Sequence, residues 1–240
     1  MNEQVPGEFS PDWPRIRHLL RLGILAAGMV LAGDMLLGFG VHDMSKSGLE
    51  QFLSMYLRLP DSTIFWSAFL GLIGIPIEVL CYFAVYRLIR PYSGKVAHLY
   101  RSGILGMLAF GGCGVHVPCL ACVFFYKYMT DASPDMALRA TLRFGLYFLL
   151  PGIVLFFVFW CVHHLAHITA FAKGLTPYPN WCWIFCPAVG MSLTMLLKFL
   201  PESALRNAIT AGWMSIGSLW MFAGLLILSR AAESNAEKKK

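Results

Sequence analysis

Charged residues are scarce in this chain of 240 residues. Asp, Glu, Lys and Arg make up 13% of it and hydrophobic residues 58%, whereas soluble domains carry about 25% charged residues. The apolar residues form blocks that are long enough to cross a hydrocarbon core about 30 Å thick, which takes about 20 helical residues. This composition excludes an ordinary soluble domain and indicates a membrane protein. The net charge of +6 then reflects the loops beside the membrane and not affinity for nucleic acid.

The sequence also shows no secretory signal and no disulfide framework. The polar residues 1–15 precede the first apolar block, and no small-residue cleavage site follows that block after Val41. We therefore expect the block to be retained as a helix. Seven cysteines are an odd number, and most lie inside apolar blocks, which excludes the paired cysteines of a small secreted domain.

One cysteine pair has a spacing that is typical of redox chemistry. Cys119 and Cys122 form a CxxC motif directly after Pro118, and a CxxC motif in the first turn of a helix can exchange disulfides. A membrane thiol–quinone oxidoreductase normally needs a second pair on the same side of the membrane. Cys182 and Cys186 are predicted to lie on the other side, so the sequence favours this function least. It does not show whether Cys119 and Cys122 form a disulfide.

The apolar blocks predict an all-α fold, a polytopic bundle of six transmembrane helices within residues 16–230. We place the helices at 16–41, 64–89, 99–128, 134–172, 181–199 and 203–230. The fourth begins with Ser133 as its N-cap and Pro134 as its first residue. It is too long for one straight crossing, so we expect a kink at Pro151. The flanking segments are predicted to be a cytoplasmic N-terminal segment, 1–15, and a disordered cytoplasmic tail, 231–240.

A short amphipathic helix is predicted at residues 47–59, between the first two membrane helices. Ser47 and Glu50 fit a capping box, and Pro60 ends the segment. The apolar residues recur at helical spacing, at Leu49, Phe52, Leu53, Tyr56 and Leu57. Because the opposite face is polar, we expect this helix to lie flat in the outer interface of the membrane.

The distribution of basic residues predicts the orientation of the chain. Lys and Arg are more numerous at the two ends and in the loops after the second and fourth predicted helices than in the other loops. Since cytoplasmic loops carry the excess of Lys and Arg, both termini are predicted to be cytoplasmic. The two halves show no repeat, which argues mildly against a transporter fold built from repeats.

Three ionisable residues are predicted to meet inside the bundle. Asp34, Glu78 and His116 each lie deep in one of the first three helices, on the face that carries small residues. Small residues let membrane helices approach closely, so these faces should point into the bundle. Counting 1.5 Å per residue, Asp34 and His116 share a level and Glu78 lies about 10 Å nearer the cytoplasm.

This polar layer leaves three functions open. The first is an intramembrane enzyme in which Asp34 and Glu78 act as acid and base while His116 orients the substrate or binds a metal. Its substrate would be a lipid-soluble molecule that enters from the outer leaflet beneath the helix 47–59. The second is a proton- or cation-coupled transporter of small solutes that uses the same residues. The third is a structural polar clamp. Membrane lipid is the only other expected partner, and no oligomeric state is indicated.

A second histidine cluster is a candidate metal site. His163 and His167 are four positions apart (i and i+4), so both rings can face one ion such as zinc. Two ligands are too few, and His18 and His98, at the same inner end of neighbouring helices, could complete the site. His116 is a separate candidate metal ligand in the polar layer. The alternatives are a histidine cluster at the wet end of a helix and, less favoured, haem ligation. The cofactor is therefore left open as a possible divalent metal.

The residue types resemble those of the membrane hydrolases that include alkaline ceramidases and adiponectin receptors. The shared features are an intramembrane histidine, an acid and a later HxxxH pair. In this chain the acid comes first, Gly112 stands four residues before His116, and two predicted helices follow His167. The resemblance is therefore confined to residue types and does not assign the chain to that group.

Overall fold

The computed structural model describes residues 11–238, and all of their regular secondary structure is helical. The α-helices, in chain order, are α1 (Trp13–Gly38), α2 (Gly48–Ser54), α3 (Asp61–Cys81), α4 (Phe83–Ile89), α5 (Gly94–Phe110), α6 (Val117–Ala132), α7 (Pro134–Phe148), α8 (Leu150–Ala172), α9 (Pro187–Met195), α10 (Ala204–Ala211) and α11 (Trp213–Lys238). A π-helical turn, Gly111–His116, joins α5 to α6. The 3-10 turns Asn180–Phe185 and Leu196–Phe199 flank α9.

Within residues 11–238, five helical stretches are long and apolar enough to cross a membrane. They are Trp13–Gly38, Asp61–Ile89, Gly94–Ala132, Leu150–Ala172 and Trp213–Lys238. The stretch Pro187–Phe199, which corresponds to the predicted fifth span 181–199, is apolar but shorter. The chain is therefore a helical membrane protein, and a sixth crossing stays a prediction.

The predicted fourth helix, 134–172, is two helices in the structure. Ser133 is the N-cap of α7 and Pro134 its first residue, as expected, but α7 ends at Phe148. The break falls at Leu149, just before Pro151, because proline has no N–H to donate and crowds the preceding turn. The amphipathic helix α7 packs against α6, and α8 packs against α5.

The C-terminal region also differs from the prediction. The predicted helix 203–230 is divided at Gly212 into α10 and α11, and α11 continues through Lys238. Residues 231–238 are therefore helical, although the sequence predicted a disordered tail. Ala232 and Ala236 are buried in the core, and Arg17 Nη1 lies 2.7 Å from Glu233 Oε2. These contacts explain the extension. Residues 1–10 of the predicted N-terminal segment, and residues 239–240, lie outside the described residues.

The ion pair of Arg17 and Glu233 brings the start of α1 and the end of α11 to one end of the bundle, here called the termini side. The main core lies between α1, α3, α4, α5, α8 and α11. Its largest fully buried side chains include Tyr100, Phe171, Phe222, Ile16 and Leu20. A second, smaller core at the opposite side contains residues of α2, α6 and α7.

The helix predicted at 47–59 is shorter in the structure. Helix α2 ends at Ser54, the Ser47 side chain makes no capping hydrogen bond, and Glu50 pairs with Lys46 at 3.1 Å. The predicted capping box is therefore not formed. The apolar residues of α2 have different surroundings, since Leu53 packs in the second core while Phe52 is half exposed.

A polar contact at the opposite side joins the loop after α1 to the loop before α10. The backbone N–H of His42 donates to Glu202 Oε1 at 2.9 Å, and the His42 ring and Asn207 Nδ2 contact the same oxygen at 2.5 and 3.2 Å. These hydrogen bonds, that of the His42 N–H foremost, lower the pKa of Glu202 from 4.5 to about 2.

We expect this contact to make stability depend on pH in the acid range. Because the folded-state pKa of Glu202 lies below the unfolded value, its stabilising effect is complete above about pH 4.5 and is lost as the pH falls toward 2. The melting temperature of Glu202→Gln should thus be below that of the wild type at pH 7, with the gap closing at low pH. Glu50→Gln, at a more exposed ion pair, is the control. A gap that widened below pH 4.5 would contradict the expectation.

Candidate functional site

A cavity of about 190 Å³ lies inside the bundle, where α1, α3, the π-helical turn, α8, α9 and α11 meet. We call it the inner cavity. Most of its wall is apolar and includes Val30, Ile75, Val79, Met107, Phe156 and Trp160. Asp34, Glu78 and His116 all line it as well, so the structure brings together the three residues that the sequence singled out.

The two carboxyl groups are held by α11. Ser215 Oγ donates to Asp34 Oδ2 at 2.9 Å, and Ser218 Oγ donates to Glu78 Oε1 at 2.5 Å. The Tyr82 hydroxyl lies 2.7 Å from Ser218 Oγ and 3.5 Å from Glu78 Oε1. Within the described residues neither carboxyl group forms an ion pair. Both acids therefore face the cavity with only hydroxyl partners.

His116 is positioned by a close approach of α3 to the end of the π-helical turn. Its Nε2 lies 3.0 Å from the Ser67 carbonyl oxygen, which can only accept a hydrogen bond. Nε2 therefore carries the hydrogen, and a neutral ring then has Nδ1 free to accept. A side chain at Gly71 would overlap the His116 ring, so this contact requires glycine at that position. The small-residue face predicted for the second helix thus does receive a neighbouring side chain.

A larger cavity of about 750 Å³, the vestibule, adjoins the inner cavity at the opposite side from the termini. Asp34, His116 and Cys119 line both spaces, whereas Glu78 lines only the inner cavity. This order agrees with the depths counted along the sequence. The polar wall of the vestibule includes Lys198 and Arg206. A molecule that enters the vestibule would meet Asp34 before Glu78.

Metal binding at His116, or at His163 and His167, finds no support. His163 and His167 line neither cavity and are fully buried between α8 and α5. Among residues 11–238, no three His, Cys, Asp or Glu side chains are grouped so that they could hold a metal ion. His18 and His98 therefore do not complete a site with the HxxxH pair either.

The cysteines do not form a redox relay in the structure. All seven are free thiols. Cys119 lines both cavities while Cys122 is buried, and the two are not joined. Cys119 is thus better described as a wall residue of the candidate site.

The residues that sequence reasoning missed are Ser215, Ser218 and Tyr82. The serines are three residues apart, so they lie on one face of α11, and this Ser-x-x-Ser spacing after Gly212 was the available signal. Polar hydroxyls in membrane helices often bond across helices. Serine is also common in such helices, and the spacing alone does not indicate which helix the hydroxyls face.

A family model described as a family of unknown function (DUF6796) matches residues 1–232. The chain belongs to this family. No curated protein and no solved structure matches it. The family match covers nearly the whole chain, including every residue of the candidate site, but the description of the family assigns no activity.

Proposed function

We propose that this DUF6796 protein is an intramembrane enzyme that takes a small lipid-soluble molecule into the inner cavity and exchanges protons with it through Asp34 and Glu78. The observation that carries the proposal is the pair of carboxyl groups on one apolar cavity, without an ion-pair partner among the described residues. Ionisable groups buried in a membrane protein are costly and for that reason usually functional.

The hydrogen bonds around the carboxyl groups suit acid–base chemistry. A general acid or base must be held within hydrogen-bond reach of its substrate, and Ser215 and Ser218 fix one oxygen of each group. The second oxygen of each carboxyl group is left for a bound molecule. His116, through its free Nδ1, supplies an acceptor on the same wall and would orient a polar group of the substrate.

The two cavities together favour an amphipathic substrate. The inner cavity offers mainly apolar surface, whereas the vestibule carries cationic side chains such as Lys198 and Arg206. The exposed Phe52 on α2 lies on the vestibule wall, which supports entry from the lipid beneath that helix. With both termini placed in the cytoplasm, as the basic residues predict, entry is from the outer leaflet.

A proton- or cation-coupled carrier is the second candidate. It is favoured by the shared wall of the vestibule and the inner cavity, because that arrangement leads from one side of the membrane to the same carboxyl groups. A carrier would use Asp34 as its first binding group and would release its solute unchanged.

The test asks whether the protein converts a lipid-soluble molecule chemically or moves a solute across the membrane unchanged. Purified wild type and Asp34→Asn are reconstituted in liposomes made from the lipid extract of the expression host, and the lipid fraction is analysed by mass spectrometry over time. We expect at least one lipid-soluble species to be converted by the wild type and not by Asp34→Asn. Glu50→Gln, at an exposed residue that lines neither cavity, should behave as wild type. If solute uptake requires Asp34 and no lipid-soluble species is converted, the protein is a carrier and not an enzyme.

A further inference from the structure

Three adjacent histidines on α8 form a buried cluster that the proposed chemistry does not use. His163 and His167 are 0% exposed and His164 is 5% exposed. Tyr100 of α5, also fully buried, faces them, with its ring centroid 4.3 Å from that of His163 and 6.2 Å from that of His167. A side chain at Gly103 would overlap the His163 backbone, so α5 and α8 are in close contact beside the cluster.

Two polar atoms of this cluster have partners, since the Nδ1 atoms of His163 and His164 lie 3.5 Å apart and that of His164 lies 2.7 Å from the Trp160 carbonyl oxygen. The other five lack partners among the described residues. They are His163 Nε2, His164 Nε2, both ring nitrogens of His167 and the Tyr100 hydroxyl. Five of the seven such buried atoms in residues 11–238 are thus found in this one place. Each unpaired buried donor or acceptor destabilises the folded state, so a dry cluster with five of them would be strongly destabilising.

Water has the hydrogen-bonding capacity that these atoms require. Buried water typically makes about three hydrogen bonds to otherwise unpaired polar groups, and a neutral imidazole presents one donor and one acceptor. A metal ion fits less well, because no group of three ligands for one is formed by the described residues.

The cluster also lies between the inner cavity and the termini side. The His163 ring meets the Tyr82 ring edge to face, with centroids 4.6 Å apart, and the Tyr82 hydroxyl contacts Ser218 and Glu78. At the other end, His167 stacks on Phe171, which packs on Tyr178. Tyr178 in turn contacts Trp13, at the start of α1. The unpaired atoms of the cluster therefore lie between Tyr82, which contacts Glu78, and the aromatic side chains that continue to the termini side.

We propose that His163, His164, His167 and Tyr100 hold internal water and carry protons between Glu78 and the termini side of the membrane. His163 and His167 each accept a proton at one nitrogen and release one from the other, so one proton moves per step and no group is oxidised or reduced. His164, whose Nδ1 donates to the Trp160 carbonyl oxygen, binds water through Nε2. This inference rests on the proposed role of Glu78 as a proton-exchanging group, and it supplies the route by which Glu78 regains or loses its proton.

Proton flux through reconstituted protein tests the route. Liposomes containing a pH-sensitive dye are given a potassium diffusion potential with valinomycin. We expect the wild type to move protons at least tenfold faster than empty liposomes, and His163→Phe, which keeps an aromatic ring between Tyr82 and Tyr100, to remove at least nine-tenths of this flux. His98→Gln on the exposed face of α5 is the matched control and should stay within twofold. Wild-type flux equal to that of empty liposomes, or unchanged flux in His163→Phe, overturns the route.

A stability measurement covers the case in which His163→Phe does not fold. Tyr100→Phe deletes a single hydroxyl. If that hydroxyl binds water, the melting temperature should stay the same or fall; a clear rise would show that the cluster is dry and would overturn the proposal. If the wild type converts lipid in the earlier assay but His163→Phe leaves the proton flux unchanged, the proton route is rejected and the enzyme function stands. If proton flux requires His163 but is unchanged in Glu78→Gln, the histidine cluster carries protons and the role of Glu78 in the route is rejected.

Discussion

Replacement of Glu78 by glutamine should reduce the activity about 10²–10⁴-fold, the usual contribution of a general acid or base. Glutamine has nearly the same shape, and its amide oxygen still accepts the hydrogen bond from Ser218, but it cannot exchange a proton. We expect the free energy of unfolding to change by less than about 1 kcal/mol, because a neutral group in an apolar cavity avoids the cost of burying a charge. Turnover and thermal unfolding of the same preparation check both expectations.

The matched control is Glu233→Gln, which makes the same chemical change in a partly exposed ion pair far from the cavity. An exposed pair contributes about 0–1 kcal/mol, so this variant should retain both fold and activity within twofold. If Glu78→Gln instead unfolds readily while the remaining folded protein works at the normal rate, Glu78 belongs to a structural polar clamp, the third function that the sequence left open.

Gly152→Ala should be the most damaging of the glycine substitutions considered. A Cβ at this position, near the start of α8, would overlap the backbone carbonyl of Gly114 in the π-helical turn. Backbone cannot rotate away as a side chain does, so either α8 or the π-helical turn must shift. Overpacking of this kind costs about 1–3 kcal/mol, and sometimes more. The displaced turn carries His116, and so we expect activity to fall as well.

Gly28→Ala is the control for this substitution. Gly28 lies in the interior of α1 and a Cβ there would meet nothing within 4 Å. Alanine is favoured over glycine in a helix by about 1 kcal/mol, so this variant should be as stable as the wild type or more so. Equal stability of Gly152→Ala and Gly28→Ala in thermal unfolding would show that α8 and the turn are not in contact at Gly114.

The convergence of Asp34, Glu78 and His116 could be predicted from the sequence because two ordinary signals coincide. Each residue interrupts a long apolar block, and each lies on the small-residue face of its helix, which must turn toward other helices. The depth order, with Glu78 deepest from the vestibule, followed from helical rise alone. The partners of these residues on α11 did not follow, since nothing in an apolar helix indicates which neighbour its serines face.

Other features depended on packing that a single sequence does not display. The sequence predicted a kink at Pro151, whereas the structure has a break two residues earlier, at Leu149. The position of a proline shows that a helix is disturbed, but not whether it bends or divides into two helices. Residues 231–238 look like a polar tail, yet Ala232 and Ala236 bury a narrow strip against the core. The HxxxH pair suggested metal coordination, but its two rings are covered by Tyr82 and Tyr100.

The π-helical turn Gly111–His116 has a mechanical consequence for the third long helix. A π turn contains one residue more than an α turn and often occurs at functional positions. The halves on either side also have different neighbours, since α5 packs on α8 and α6 packs on α7 and α3. The stretch therefore consists of two helices with different packing neighbours on either side of the turn. Because His116 and Cys119 line both cavities, a rotation of α6 about this turn would widen or narrow the passage between the vestibule and the inner cavity while α5 stays packed on α8.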